Sequence, residues 1–158
     1  MKLVYLCVLT FSFSVFAQSK IVVNVGLSPA GSFQAVSTKV KGQLKLTGST
    51  IEADKISVLI ESFKTEIDLR DEHFVKHLNA DKHPKATITK LKAQDGKGTA
   101  QLELNGVTVP ISVKYETKDG LVKANFKVKA ADFKLSKAQY LGVGVDDEVV
   151  VDVEMPLK

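Results

Sequence analysis

The sequence predicts an all-β fold, an antiparallel barrel or sandwich, with one short helix inserted midway along the chain. Three observations support this prediction. Most of the chain after the first 20 residues alternates apolar and polar residues, which is the period of a half-buried strand. Short turn signals such as Asn105-Gly106 separate the alternating segments. A segment of about residues 68–79 departs from that period and predicts the helix. A helix between strands suggests a lid over one end of the sheet, and a lid suggests that the fold encloses an interior space.

The first residues predict a secretory signal peptide. Lys2 supplies a positive charge, residues 3–16 are mostly apolar, and Ala17 is a small residue at the cleavage position. The apolar run is shorter than the roughly 20 residues that a membrane span needs. We therefore predict a signal peptide over residues 1–17, one domain over residues 18–158, and location in the periplasm or outside the cell. Cys7 lies in the leader, so the mature chain would have no disulfide and no thiolate chemistry.

The charge of the chain argues against a nucleic-acid partner. The formal net charge is +4, and the lysines are dispersed along the sequence. Nucleic-acid binding favours clustered basic residues with stacking aromatics, whereas aromatics are few here and tryptophan is absent. Transient contact between the basic exterior and anionic lipid stays open, as does the oligomeric state, a dimer included.

The strands after the helix form two predicted hairpins. Residues 121–130 show the alternation best, with lysines and an asparagine at every second position. Asn105-Gly106 and Asp119-Gly120 favour two-residue turns, because glycine accepts the positive φ that such turns need. We expect about eight strands, whose interior would be either just filled by side chains or able to hold one small ligand.

The predicted helix is short and amphipathic. Asp68 is placed to cap its first turn. Phe74 and Leu78 are four residues apart on one face, and with Leu69 they would cover the end of the sheet. The Arg70-Asp71 pair has two interpretations: an anchor for a ligand, or a contact that holds the helix to the barrel. We favour the second, because ion pairs that only support structure are common.

Catalytic and metal signals are weak. His73 and His77 have helical i, i+4 spacing, but Glu72 stands before them and not between them, so the metalloprotease pattern fails. A metal-assisted hydrolase using these two and His83 is a minor alternative. The acidic turn at residues 146–148 is interpreted as a solvated loop, because its calcium-ligand pattern is incomplete. The sequence contains no Gly-x-Ser-x-Gly motif.

Several short motifs, in their order and spacing, resemble the YceI-like family. Three segments of this chain, in order, are similar to the central signature of that family: Ser62-Phe-Lys-Thr65, Arg70-Asp71 and residues 83–88. Residues 98–113 resemble that family's next hairpin, and residues 131–133 resemble its C-terminal part.

The resemblance covers roughly residues 40–155 and has two departures. The segment 26–38 lacks the usual aromatic and histidine-bearing opening strand, and Lys134 stands where a glycine is usual.

This resemblance implies a lipocalin-like antiparallel β-barrel, secreted to the periplasm or beyond. Members bind polyisoprenoid chains, including quinones, or related amphiphiles in an apolar tunnel. The family brings no catalytic residues, so we predict no enzyme activity, no metal and no cofactor other than a bound isoprenoid or similar lipid.

The leading hypothesis is a carrier or store of an apolar or amphiphilic small molecule. The alternative is a filled barrel that acts as a structural or interaction module of the cell envelope. The residues predicted to contact the ligand are the inward apolar positions of the strands and the apolar face of the helix: Val58, Ile60, Phe74, Leu78, Ile88, Leu102, Leu104, Ile111, Val113, Phe126, Val128 and Phe133.

Overall fold

The computed structural model describes residues 17–140 and 142–158. The predicted signal peptide therefore lies outside the described residues, apart from Ala17. The described part contains one α-helix, α1 (Asp68–His77), and short 3-10 turns at Ile60–Ser62 and Ala130–Phe133. Its strands are β1 Lys20–Ser28, β2 Ser32–Ser37, β3 Val40–Lys41, β4 Lys45–Thr47, β5 Thr50–Leu59, β6 Lys85–Gln94, β7 Lys97–Leu104, β8 Val107–Lys118, β9 Leu121–Lys129, β10 Gln139–Tyr140, β11 Val143–Val145 and β12 Glu148–Pro156.

The strands form a nearly closed antiparallel barrel. Its wall runs β5-β6-β7-β8-β9-β12-β1-β2, and every neighbouring pair in that order is antiparallel. The two edges meet where Val36 of β2 and Lys64, just after β5, exchange backbone hydrogen bonds of 2.9 Å each. The short strands β3 and β4 pair with β5, and β10-β11 extend the sheet beyond β1. The prediction of an all-β barrel with one inserted helix is confirmed.

The two predicted hairpins are also confirmed. β7 and β8 are joined by Asn105-Gly106, and β8 and β9 by Asp119-Gly120. All four residues have positive φ, from 50° to 73°, which is the geometry of the tight turns that match strand twist. Gly106 has a second reason to be glycine, because an added Cβ would lie 2.7 Å from the His83 ring.

A bulge in β6 changes which side chains face the interior. The pairing with β7 passes from Thr89–Gln101 to Lys92–Thr99, and Lys90 between them has a φ of 54°. One extra residue on β6 reverses the inward and outward faces beyond it. Ile88 before the bulge and Leu91 after it therefore both line the interior, although they are three residues apart.

The helix differs from its prediction in two respects. It ends at His77, and Leu78 is the C-cap residue. The predicted capping role of Asp68 is wrong: Ile67 occupies the N-cap position, and no side chain caps the first turn. The reason is positional, because Asp68 is already the first helical residue, one place beyond the position from which a side chain caps the turn.

The barrel interior is divided into a packed end and a hollow end. At the packed end, Leu44, Ile51, Ala93, Val122 and Met155 are buried around a void of about 40 Å³. At the other end, under α1, the strands surround a much larger cavity.

Candidate ligand-binding cavity

The hollow end holds a cavity of about 970 Å³. Ligand pockets in proteins usually measure roughly 300–1,000 Å³, so this one is at the upper end of that range. Its lining is mostly Val, Ile, Leu, Phe and Ala from β1, β5, β6, β7, β9, β12 and α1. A space of this size and polarity does not match the filled-barrel alternative.

Most of the residues predicted to contact a ligand lie in the wall of this cavity. Ile111 and Val113 do not: Val113 lines the small void at the packed end, and Ile111 is buried in the core without lining either space. That the others bind a ligand stays a prediction. Those that line the cavity are Val58, Ile60, Phe74, Leu78, Ile88, Leu102, Leu104, Phe126, Val128 and Phe133.

Four side chains separate the two interior spaces. Ile56, Ile88, Phe126 and Val153 line both the large cavity and the small void, so they form the floor of the cavity. Phe126, which is 5% exposed, is the largest of them. An apolar chain entering under α1 would therefore end against this floor.

Sequence reasoning omitted several parts of the wall from the predicted site. Two of them are the inward faces of β1, with Ile21, Val23 and Val25, and of β12, with Val149, Val151 and Val153; their alternation was visible in the sequence. Another comprises residues 135–139, 143 and 145, which line the cavity near its mouth. Val145 pairs with Leu27 of β1, so the segment is held to the sheet.

The helix covers the hollow end. Phe74 packs on Phe63 with ring centroids 5.6 Å apart and a tilt of 54°. Beyond its last turn, the Asn79 side-chain amide donates to Asn105 Oδ1 at 3.0 Å. Asn105 Nδ2 donates in turn to the Phe133 carbonyl at 3.0 Å. These bonds connect the end of the helix, the β7–β8 turn and the second 3-10 turn.

Asp71 holds the start of the helix. Its carboxylate accepts hydrogen bonds from the Thr65 amide and the Thr65 hydroxyl, both at 2.7 Å, and lies 3.2 Å from Lys64 Nζ. The Thr65 hydroxyl lowers the pKa of Asp71 below its usual value; burial opposes this shift, and the Thr65 amide and Lys64 reinforce it. For Asp71, the structural interpretation of the Arg70-Asp71 pair agrees with this geometry.

Arg70 has a different environment from its neighbour. One Nη2 hydrogen bond of 3.1 Å reaches the Thr65 carbonyl, and the guanidinium carbon lies 4.7 Å from the centroid of the Phe33 ring. Its Nε is buried and has no hydrogen-bond partner in the described chain. Arg70 and Phe33 both line the cavity.

The exposed part of the lining is called the mouth; it consists of Ile67, Leu69, His73, Lys76, Ser136, Lys137, Gln139 and Val143. Within the described residues, no Asp or Glu lines the cavity. Burial lowers the pKa of the half-buried His77, because an apolar surrounding disfavours the charged form of its ring. The positive charge around the cavity therefore comes chiefly from Arg70, Lys76 and Lys137.

The histidines do not form a three-ligand site. His73 and His77 line the cavity, whereas His83 lies against Gly106 of the β7–β8 turn. Over residues 17–140 and 142–158, no group of three or more His, Cys, Asp or Glu side chains has metal-binding geometry. Those same stretches also contain no helix with the length and apolar character to cross a membrane.

Together, the barrel, its covering helix and its apolar cavity place the molecule in the class of lipocalin-type barrels with an internal apolar site. The family model of the YceI-like domain matches residues 13–157. The chain therefore belongs to the YceI-like family, as its sequence motifs indicated. No protein with a curated description matches it.

Solved structures share this fold at low sequence identity. BcnA of Burkholderia cenocepacia is 17% identical with a TM-score of 0.66, over 86% of this chain and 94% of that one. A polyisoprenoid-binding domain of Saccharophagus degradans, implicated in plant cell wall breakdown, is 15% identical with a TM-score of 0.60, over 86% and 91%. A YceI protein of Campylobacter jejuni is 24% identical with a TM-score of 0.52, over 73% and 78%.

Proposed function

We propose that this protein is a non-enzymatic carrier or store of an apolar chain, such as a polyisoprenoid, a quinone or a similar amphiphile. The observation that carries the proposal is the apolar cavity of about 970 Å³ under α1. Membership of the YceI-like family supports it, as does the similar fold of a protein described as polyisoprenoid-binding.

The energetics of such a site favour a long apolar ligand. Burial of apolar surface contributes about 25 cal/mol per Å², before the costs of immobilisation are subtracted. A polyisoprenoid chain offers hundreds of Å², by order of magnitude, so it needs few polar contacts to bind. The wall supplies this environment from Val, Ile, Leu and Phe side chains of β1, β5, β6, β9 and β12.

We place this carrier in the periplasm or outside the cell, after removal of a signal peptide over residues 1–17. The mouth also fits contact with a membrane during loading. Ile67, Leu69 and Val143 are 51%, 56% and 39% exposed, and all three belong to the mouth. Exposed apolar groups that cluster at one site mark interaction surfaces, and a lipid surface is the source of the proposed ligand.

The carrier function is tested by uptake of a defined ligand. The mature protein, stripped of lipid by organic extraction and refolded, is mixed with vesicles that contain a polyisoprenoid quinone, then separated and analysed by mass spectrometry. We expect about one quinone per protein molecule. A refolded protein that takes up neither quinone nor polyisoprenoid alcohol contradicts the proposal.

Membrane contact is tested by the rate of that transfer. The double variant Ile67→Glu, Leu69→Glu should slow quinone uptake from vesicles severalfold and leave the amount bound at equilibrium nearly unchanged. Leu46→Glu is the matched control, because Leu46 is 53% exposed but lies on β4, outside the cavity lining. Equal uptake rates for the double variant and this control would contradict membrane contact at the mouth.

A further inference from the structure

The cavity wall contains a cation, Arg70, that no carboxylate of the described residues neutralises. Arg70 makes no ion pair with any carboxylate of the part of the chain that the structure describes. The adjacent acid, Asp71, is engaged instead by Thr65 and Lys64. Arg70 therefore lines an apolar space, and its charge has no carboxylate partner within residues 17–140 and 142–158.

The guanidinium of Arg70 is held in position before any ligand arrives. Stacking on Phe33 at 4.7 Å fixes one face, and the hydrogen bond from Nη2 to the Thr65 carbonyl fixes one edge. This bond uses one of several N–H donors that a guanidinium carries in a rigid, planar fork. The Nε–H is buried away from the cavity surface, so the donors left for a group in the cavity are the Nη hydrogens that the Thr65 carbonyl does not use.

Lys76 adds a second positive charge to the cavity lining. It lines the cavity, and it too makes no ion pair with a carboxylate of the described residues. Lys137 also lines the cavity, but its Nζ lies 3.0 Å from a carboxylate oxygen of the exposed Asp147. With acidic side chains missing from the described lining, the net charge around the cavity is positive.

This arrangement disfavours a wholly neutral occupant. A neutral chain that excludes water from the cavity would leave the Arg70 guanidinium desolvated without a counter-charge, which is costly. An anionic head group removes that cost and gains charge-assisted hydrogen bonds, and the guanidinium fork matches both carboxylate and phosphate geometry.

From this geometry we propose that the carried molecule is an anionic amphiphile, whose carboxylate or phosphate head group binds the Arg70 guanidinium beneath α1 while its apolar chain extends toward the floor at Phe126. This inference rests on the proposed carrier function and adds the chemical class of the ligand. Lys76 acts as a second, more exposed positive charge beside the head group.

The test compares three probes that share one chain: hexadecanoate, hexadecyl phosphate and hexadecan-1-ol. Each displaces the neutral fluorophore N-phenylnaphthylamine from the lipid-stripped mature protein. We expect the two anions to bind at least about tenfold more tightly than the alcohol, as charge-assisted hydrogen bonds imply. Tighter binding of the phosphate than the carboxylate, or the reverse, identifies the preferred head group.

Arg70→Gln should remove most of the difference between anion and alcohol, because it weakens binding of the two anions and removes the desolvation cost that opposes the alcohol. Lys118→Gln is the matched control: it removes the same charge from an exposed position of β8 that does not line the cavity, and should keep the preference. Arg70→Lys keeps the charge without the planar fork and should retain part of the preference. A variant that only loosens the helix would weaken all three probes together, so the ratio of affinities separates the two effects.

Two outcomes overturn the inference in distinguishable ways. Equal affinity of the wild-type protein for anion and alcohol, or an unchanged ratio in Arg70→Gln, overturns the head-group assignment while the carrier function stands. Failure of the fluorophore and all three probes to bind the folded protein overturns the carrier function, and the head-group assignment with it.

Discussion

At the residue scale, Asp71 and its neighbour Arg70 show how adjacent charges take different roles. Asp71 is 8% exposed, and its carboxylate satisfies the amide and hydroxyl of Thr65 where the chain leaves the barrel and enters α1. Arg70 projects to the cavity and stacks on Phe33. The adjacent pair in the sequence therefore does not form an ion pair: one residue supports the fold, and the other remains available to a ligand.

Asp71→Asn should lower the free energy of unfolding by about 1 kcal/mol at pH 7, because a neutral amide accepts weaker hydrogen bonds than a carboxylate. The lowered pKa of Asp71 means that its contribution is fully present above the unfolded-state pKa of about 3.9. The contribution is lost as the pH falls through the folded-state pKa, which lies lower. Urea unfolding at pH 7 and at about pH 2.5 measures both effects.

Asp68→Asn is the control for this prediction, because Asp68 is an exposed acid of the same helix that makes no capping hydrogen bond. It should change the stability little at either pH. A difference between wild type and Asp71→Asn that is as large at pH 2.5 as at pH 7 would contradict the assigned role of the charge.

At the element scale, the turn after β9 shows what one departure from the family pattern costs. Lys134 follows the second 3-10 turn with φ 55° and ψ 28°, a left-handed conformation. Its amide donates to the carbonyls of Ala130 and Ala131. The YceI-like pattern usually has glycine at this position. The backbone conformation gives the reason, because glycine adopts it without the steric cost of a Cβ.

Lys134→Gly should raise the free energy of unfolding by about 0.5–1 kcal/mol, since relief of the left-handed strain exceeds the added entropy of the unfolded chain. Lys129→Gly is the matched control, because Lys129 has an extended φ of −113° at the end of β9. There the same substitution should lower stability by about 0.5–1 kcal/mol. Thermal and urea unfolding of both variants gives the two signs, and a loss of stability in Lys134→Gly would contradict the explanation.

At the scale of the whole molecule, the decisive feature is the division of one barrel into a packed end and a hollow end. The floor residues Ile56, Ile88, Phe126 and Val153 separate the two. One continuous core runs through both ends: it includes Leu44 and Met155 at the packed end and Phe63 and Phe133 in the wall of the large cavity. The barrel therefore keeps a connected core while one end stays open.

Val128→Phe should fill part of the cavity and reduce quinone uptake severalfold, while the free energy of unfolding stays within about 1 kcal/mol of wild type, because the larger ring enters open space and not a packed core. Val128 lines the cavity and is half-buried on β9. Asn125→Phe adds the same ring to an exposed position of β9 outside the cavity lining and should leave uptake unchanged. Undiminished uptake by folded Val128→Phe would show that ligand does not enter this cavity.

The amino-acid sequence by itself determined the local structure of this protein. Alternation over residues 121–130 and the Asn105-Gly106 and Asp119-Gly120 turns predicted the strands and hairpins, because face alternation and positive φ are properties of a few neighbouring residues. The helix that interrupts the strands was predicted because residues 68–79 depart from the two-residue alternation of the strands. The family was also identified from the sequence, by the order and spacing of several short motifs.

Only the tertiary structure decided where the interior is open. Inward apolar residues look the same in sequence whether they line a void or fill it, so Ile111 and Val113 were grouped with Val128 although neither lines the large cavity. The bulge at Lys90 and the return of β11 to β1 depend on pairing with distant strands. The separate roles of Arg70 and Asp71 likewise follow from Thr65, Lys64 and Phe33, because long-range packing, and not local preference, selects the partners of a charge.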